Sequence, residues 1–167
     1  VEAYFVPSIK EWKEEYDKVK LDKKQARKVI DDTDKVSTED EGDSKRRSKN
    51  KINARRHIIL VALNQTGLNN IYKIVSDSHQ GDNFYRYPRL DYEMLEKYGE
   101  GVIASSACLG GVYAGDYWDN REEGADAVLE AMRETTRNMI TAIGDRWYGE
   151  LQWNNIPEQH ELNKYIT

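Results

Sequence analysis

The only cysteine of the 167-residue chain, Cys108, stands where its thiol could bind a ligand. It follows the apolar run Val102–Ala107, which predicts a buried strand, and it precedes Gly110 and Gly111. Glycines after a strand allow a sharp turn and a close approach of the backbone to a ligand. Cys108 is therefore a candidate metal ligand or nucleophile at the mouth of a sheet, and the alternative is a small buried apolar residue.

Two further groups of residues carry chemistry. Glu2 places a carboxylate in the otherwise apolar stretch Val1–Val6, which predicts a strand; such a carboxylate lies at an exposed end or binds something. The segment Asp82–Leu90 is aromatic and basic. Arg86 and Arg89 are candidate nucleic-acid contacts, because guanidinium groups bind phosphates beside rings that stack on bases. The alternative is that these side chains pin the loop by packing.

The composition is that of a folded but polar protein. Charged residues make up 33% and hydrophobic residues 38%, and four Trp and eleven Tyr argue against wholesale disorder. A single cysteine excludes an internal disulfide and fits a reducing compartment, so we expect a cytoplasmic location. No apolar run approaches the ~18 residues of a membrane span, and no signal peptide opens the chain. Because the chain starts with Val inside a predicted strand, we expect a piece of a longer protein.

Charge is distributed unevenly along the chain. Residues 17–56 contain 14 Lys and Arg against 9 Asp and Glu, whereas residues 57–167 contain 9 against 17. A basic segment on an acidic body could contact phosphates, and the alternative is a solvated excursion. Residues 33–50 have almost no apolar side chain, which predicts a loop or disorder. We therefore expect one domain over residues 1–167 with a charged insert at residues 17–56.

The elements that must position these residues alternate between strands and helices. His57 opens the strongest strand, His57–Leu63, which is apolar on both faces as a covered parallel strand would be. Ser8, Thr66 and Asp91 are predicted helix N-caps. The alternation favours a parallel sheet or barrel with helices outside. The predicted elements are strand Val1–Val6, helix Ile9–Val19, strand His57–Leu63, helix Thr66–Ser78, helix Tyr92–Tyr98, strand Val102–Ala107, a long helix from Asn120 to Gly144, strand Arg146–Trp153 and a terminal helix opened by Pro157.

Four stretches of the chain carry more specific motifs: His57–Val75, Phe84–Asp91, Glu100–Gly111 and Tyr148–Gln152. They resemble the PHP (polymerase and histidinol phosphatase) domain of bacterial replicative DNA polymerases, the DNA polymerase III alpha subunit and its relatives. The opening Val-Glu-Ala-Tyr-Phe is similar to a strand of the same family. The resemblance covers nearly the whole chain, apart from about residues 17–56.

The resemblance implies part of a distorted seven-stranded β/α barrel whose centre holds up to three divalent ions. Position by position, Glu2, His57 and Cys108 match family ligands, whereas His79 and His160 match none. The implied ion is zinc or manganese, with magnesium possible, because carboxylate and imidazole suit either of the first two and thiolate favours zinc. The family's other ligands have no counterpart in this sequence, so we expect the isolated chain to bind metal weakly or not at all.

The resemblance also implies a role in DNA replication, with DNA and the rest of a polymerase chain as partners and no membrane partner. A bacteriophage origin fits the same family. In active members the domain is a metal-dependent 3′–5′ exonuclease; in others the centre has decayed and the domain only supports the polymerase. Two alternatives stay open: a non-catalytic structural module, and a nucleic-acid-binding fragment that uses Lys45–Arg56 and the Tyr85–Arg89 loop.

Overall fold

In the computed structural model the chain divides into two compact units, Ser8–Ala54 and the combination of Val1–Pro7 with Arg55–Thr167. The structure describes residues 1–32 and 55–167, without the side chains of residues 23–32. The expectation of a single domain with an insert at residues 17–56 stays a prediction.

The unit Ser8–Ala54 is described through its helix, α1 (Ile9–Asp32). The Oγ of Ser8 accepts a hydrogen bond of 3.3 Å from the backbone N–H of Glu11. Ser8 is therefore the N-cap of α1, as predicted. The helix continues past the predicted end at Val19 and through Lys23–Ile30, where the sequence also allows a helical extension, because the residues there are mostly strong helix formers such as Lys, Gln, Ala and Arg. The predicted loop at residues 33–50 lies outside the described residues.

The part of the chain that the structure describes has six strands: β1 (Glu2–Phe5), β2 (Arg56–Ala62), β3 (Phe84–Tyr85), β4 (Tyr87–Pro88), β5 (Val102–Ser105) and β6 (Trp147–Tyr148). Four of them form one sheet, in the order β1-β2-β5-β6. The strand β2 is antiparallel to both of its neighbours, and β5 is parallel to β6. The two other strands, β3 and β4, form a short antiparallel hairpin.

Helices cover one face of this sheet. The helices of this unit are α2 (Gln65–Ser78), α3 (Tyr92–Tyr98), α4 (Val112–Asn120), α5 (Ala125–Ile143) and α6 (Pro157–Ile166). α2 and α4 pack against β2, and α5 packs against β6 and against the helices α3 and α4. The side chains of Ile58, Leu60 and Val102 on this face are buried. On the opposite face, Val61 and Tyr148 are half exposed, and this face also carries Glu2 and His57.

The α/β class is confirmed, whereas the expected parallel arrangement of β2 is wrong. A strand that is apolar on both faces has the same residue pattern in either direction, so the sequence of β2 did not reveal its orientation. The described residues form a mixed sheet of four strands, and the seven-stranded barrel stays a prediction. No helix in the described ranges is both long and apolar enough to span a bilayer.

Several element boundaries differ from the predicted ones. Helix α4 is absent from the prediction, and Asn120 ends this helix instead of opening α5, which begins after Gly124. The N-cap of α2 is Asn64, whose Oδ1 accepts from the N–H of Gly67 at 2.9 Å, and not Thr66. The strand predicted over Arg146–Trp153 contracts to the two residues of β6. The Asp91 cap is confirmed, and Gly144 ends α5 as predicted, with a φ of 69°.

Candidate metal centre

The antiparallel orientation of β2 brings the start of this strand beside the end of β5. His57 lies at that start, and the segment that follows β5 contains Cys108. The backbone N–H of His57 donates to the carbonyl of Gly110 at 2.9 Å, and His57 also forms a bridge with Gly111. The imidazole of His57 and the thiol of Cys108 therefore lie at the same end of the sheet.

Glu2 reaches the same place from the first strand. It pairs with Ile59, and because side chains alternate along a strand, Glu2 lies diagonally across from His57 on one face. The Oε1 of Glu2 contacts the Nδ1 of His57. The side chain of Glu2 is 55% exposed and that of His57 is 31% exposed, so the pair is accessible to solvent.

A tight turn aims Cys108 at the imidazole. The Sγ of Cys108 lies 3.7 Å from the Nδ1 of His57, and the backbone N–H of Gly110 donates to this sulfur at 3.4 Å. Ala107 has a φ of 57°, in the left-handed region that non-glycine residues seldom adopt. A Cβ at Gly111 would lie 1.9 Å from the carbonyl oxygen of Ser106, so the turn requires glycine there.

The donor set fits a divalent ion in part. Two ligands bound to one zinc at about 2.1 and 2.3 Å in a tetrahedral arrangement lie about 3.6 Å apart. The observed 3.7 Å between Sγ of Cys108 and Nδ1 of His57 matches that separation. The carboxylate of Glu2 contacts Nδ1 more closely than two ligands of one ion would, so it has to turn away for an ion to bind. As the side chains stand, no group of three or more His, Cys, Asp or Glu in the described ranges is arranged to hold a metal.

The carboxylate of Glu150 has a structural role beside the sheet. It accepts hydrogen bonds from the Oγ of Ser105 and the Nε2 of Gln152, each at 2.8 Å. The backbone N–H of Glu150 donates to the Oγ of Ser106 at 2.9 Å. These bonds tie the chain after β6 to the chain that leads into the cysteine turn.

The two arginines predicted to contact nucleic acid lie in different surroundings. Arg86 is exposed at the tip of the β3–β4 hairpin, with its guanidinium 5.6 Å from the ring centroid of Tyr85. Arg89 is only 2% exposed and donates to the carbonyls of Tyr85 and Tyr87 at 2.9 and 3.0 Å. Arg89 therefore pins the hairpin from inside, as the alternative from the sequence has it, and its contact with nucleic acid stays a prediction.

Three further residues lie beside the cluster. Tyr4 was not among the predicted site residues, whereas Arg55 and Tyr87 belong to the stretches Lys45–Arg56 and Tyr85–Arg89 of the nucleic-acid-binding alternative. Tyr4 is the cross-strand partner of His57, and their ring centroids lie 5.4 Å apart. Tyr4 stands two residues after Glu2, so the strand alternation already placed both side chains on one face. The proximity of Arg55 and Tyr87 to this face depends on the tertiary structure and has no local signal.

Comparison with known proteins places the chain in a family. The model of the PHP domain matches residues 2–153. The DNA polymerase III subunit alpha of Aquifex aeolicus is 42% identical over 110 residues, and that of Borreliella burgdorferi is 36% identical over 111 residues. Each alignment covers 66% of this chain and 9% of the relative.

A second group of relatives gives the same family. The PolC-type DNA polymerase III of Bacillus subtilis is 46% identical over 71 residues, which are 42% of this chain and 5% of the relative. The chain thus spans less than a tenth of the length of these curated relatives. PHP domains are generally metal-dependent. Because the family model matches residues 2–153, most of the chain, the chain belongs to the PHP domain family.

Proposed function

We propose that the chain is a segment of the PHP domain of a DNA polymerase III alpha-like subunit, and that the complete protein acts in DNA replication. The family match over residues 2–153 and the names of the relatives support this assignment. The partners of the complete protein are then DNA and the rest of the polymerase chain. A bacteriophage source is compatible with this role.

We propose further that the complete domain cleaves phosphodiesters as a metal-dependent 3′–5′ exonuclease. The observation that carries this proposal is the convergence of Glu2, His57 and Cys108, which are far apart in the sequence, around one imidazole nitrogen. These three residues would hold a divalent ion, zinc or manganese, with magnesium as a third candidate. When bound, the ion supplies Lewis-acid activation of the phosphoester. The chain itself orients the thiol through the N–H of Gly110 and keeps the imidazole fixed at the strand edge.

The test uses the complete protein that contains this chain. We expect the purified protein to retain zinc or manganese and to trim a 3′-labelled single-stranded oligonucleotide. His57→Ala and Cys108→Ala should each lower the trimming rate by about 100-fold or more, because a ligand of the ion is lost. His160→Ala is the matched control, because this histidine is exposed and belongs to α6, outside the cluster. Full metal content and full trimming by both cluster variants would contradict the proposal.

The structural-module alternative has its own supporting observation. The carboxylate of Glu2 already contacts the imidazole, so the cluster satisfies itself without an ion. In that case the wild-type protein retains no metal, and His57→Ala lowers the free energy of unfolding while DNA synthesis continues at the normal rate. Metal analysis of the wild-type protein separates the two functions before any variant is made.

A further inference from the structure

A continuous group of side chains extends outward from the candidate metal centre. The ring of Tyr4 makes an edge contact with His57 on one side and with Tyr87 on the other, at centroid distances of 5.4 and 5.6 Å. The guanidinium of Arg55 lies 4.3 Å above the ring centroid of Tyr87 and 5.8 Å from that of Tyr4. We call Tyr4, Arg55 and Tyr87 the aromatic lip.

Ordered backbone holds the aromatic lip in place. Tyr4 belongs to β1, Arg55 directly precedes β2, and Tyr87 belongs to the β3–β4 hairpin. The hairpin is attached to β1, because the carbonyl of Tyr4 accepts from the N–H of Leu90 at 2.9 Å. Tyr4 and Tyr87 thus lie on paired strands, where side chains are positioned more reproducibly than on loops.

The charge in the aromatic lip is available to a ligand. Arg55 is exposed and takes part in none of the ion pairs found in the described ranges, whereas its neighbour Arg56 is paired with Asp119 at 2.7 Å. The pKa of the buried Arg89 is lowered by burial and then by the nearby charge of Arg55. Two neighbouring guanidinium groups repel each other, and an anion beside them relieves that repulsion.

A guanidinium stacked on an aromatic ring retains its in-plane N–H donors. Those donors bind a phosphate, and the flat surface of the Arg–Tyr pair accepts a base by stacking. Tyr87 is 39% exposed, so part of this surface is open. The chemistry of the aromatic lip is therefore that of one nucleotide unit, a base with its phosphate, directly beside the cluster of Glu2, His57 and Cys108.

We propose that Arg55, Tyr87 and Tyr4 bind one nucleotide of a single-stranded nucleic acid and direct its phosphodiester toward the candidate metal centre. In this role Arg55 and Tyr87 are positioning residues. The inference deepens the proposed function and rests on it for the reaction, but the binding of the strand does not require an ion.

The test measures fluorescence anisotropy of a labelled ten-nucleotide oligothymidylate with the 167-residue chain, in a chelator and at low salt. Circular dichroism verifies that each variant is folded. We expect Arg55→Gln and Tyr87→Leu each to weaken binding roughly tenfold. Arg55→Gln should also lower the slope of log affinity against log salt by about 0.7, because one phosphate contact is lost. Arg55→Lys should restore that slope and leave the affinity reduced, because the charge returns without the stacked plane.

Matched controls separate the aromatic lip from general effects of charge and surface. Arg133→Gln removes an exposed arginine from α5, and Tyr72→Leu removes a 60% exposed tyrosine from α2. Both should bind within twofold of the wild type. Competition with thymidine monophosphate and with inorganic phosphate distinguishes a nucleotide site from a simple anion site, and the nucleotide should compete at the lower concentration.

Two results would overturn the inference: no binding by the folded wild-type chain at low salt, or equal weakening by Arg55→Gln and Arg133→Gln. Better competition by inorganic phosphate than by the nucleotide would contradict the stacking of a base. Because the assay contains a chelator, its outcome is independent of the metal content measured for the proposed function. If the purified protein retains no metal and binding still depends on Arg55, the metal analysis would refute the metal-dependent exonuclease and the binding assay would sustain the aromatic lip.

Discussion

Gly110 and Gly111 follow Cys108 side by side, but the space around them differs. A Cβ at Gly111 would lie 1.9 Å from the carbonyl oxygen of Ser106 and 2.8 Å from that of Cys108. The nearest atoms to a Cβ at Gly110 would be those of the His57 ring and the sulfur of Cys108, at 3.7 to 3.8 Å. The first set of contacts is with backbone, which cannot yield without opening the turn, and the second is ordinary van der Waals contact.

We therefore expect Gly111→Ala to destabilise the protein by about 2 kcal/mol or more and to displace the thiol from the imidazole. Gly110→Ala should change the free energy of unfolding by less than about 1 kcal/mol. Urea denaturation of the two variants checks the energies, and the reaction rate of Cys108 with a thiol reagent reports the change in its surroundings. Equal stability of the two variants would show that the turn adapts.

Helix ends are governed by particular side chains, and α2 gives a sharp comparison. Asn64 and Thr66 are both good capping residues, and both are exposed. The Oδ1 of Asn64 accepts from the N–H of Gly67, so Asn64 is the cap. We expect Asn64→Ala to cost about 1 kcal/mol and Thr66→Ala to cost a few tenths at most. Thermal denaturation of the two variants tests which residue is the N-cap. A larger loss of stability for Thr66→Ala than for Asn64→Ala would contradict the assignment of Asn64.

The packing of α4 places an acid in an unfavourable position. One carboxylate oxygen of Asp116 is buried without a hydrogen-bond partner among the described residues. Burial raises the pKa of Asp116 to about 6. This pKa is the net result of several effects: a hydrogen bond from Thr135 and the charge of Arg56 oppose the effect of burial, and the carboxylates of Asp119 and Glu134 add to it.

The sign of the resulting pH dependence follows from the direction of the shift. The folded-state pKa of Asp116 lies above the value near 3.9 of an unfolded chain, so folding favours the protonated form. The contribution to stability is greatest below about pH 4 and is lost as the pH rises through about 6. At pH 8, Asp116→Asn should be more stable than the wild type by about 2 kcal/mol, and at pH 4 the difference should vanish.

Urea denaturation at several pH values between 4 and 8 measures this effect. Asp145→Asn is the control, because its carboxylate is exposed, lies outside α4 and does not contribute to the pKa shift of Asp116. The control should not reproduce the pH-dependent gain in stability. Parallel stability curves for the wild type and Asp116→Asn would contradict a raised pKa in the folded state.

The sheet has two unequal faces, and this is a property of the whole molecule. Leu60 points into the core with 1% of its surface exposed, and the next residue, Val61, points to the opposite face and is 50% exposed. Leu60→Ala should destabilise the chain by about 3 kcal/mol, because a cavity forms under the helices. Val61→Ala should cost less than about 1 kcal/mol. Denaturant midpoints of the two variants test this asymmetry; a large loss for Val61→Ala would mean that its face is packed in solution.

The same asymmetry places the candidate site. Glu2, His57 and the aromatic lip lie on or beside the face that the helices leave accessible, while the opposite face supplies the core. Stability and candidate function therefore depend on alternate residues of the same strands. Substitutions on the accessible face should alter binding with small effects on folding.

The sequence by itself determined the local features of this protein. Ser8 and Asp91 cap their helices, and Gly144 ends α5, because caps and helix ends depend on residues within one helical turn. Helix α4 was missed because Val112–Asn120 contains a glycine and several weak helix formers and is held by packing of Tyr113 and Tyr117. The resemblance to the PHP domain could also be recognised from the sequence alone, since it depends on short motifs and on their order along the chain.

Only the tertiary structure decided the direction of β2 and the neighbours of its first residues. An antiparallel β2 brings His57 next to the cysteine turn, whereas a parallel one would have separated them. The burial of Arg89 and the exposure of Arg55 likewise depend on how the hairpin attaches to β1. The physical reason is that strand pairing and burial arise from contacts between residues far apart in the chain, which leave no periodic trace in either partner.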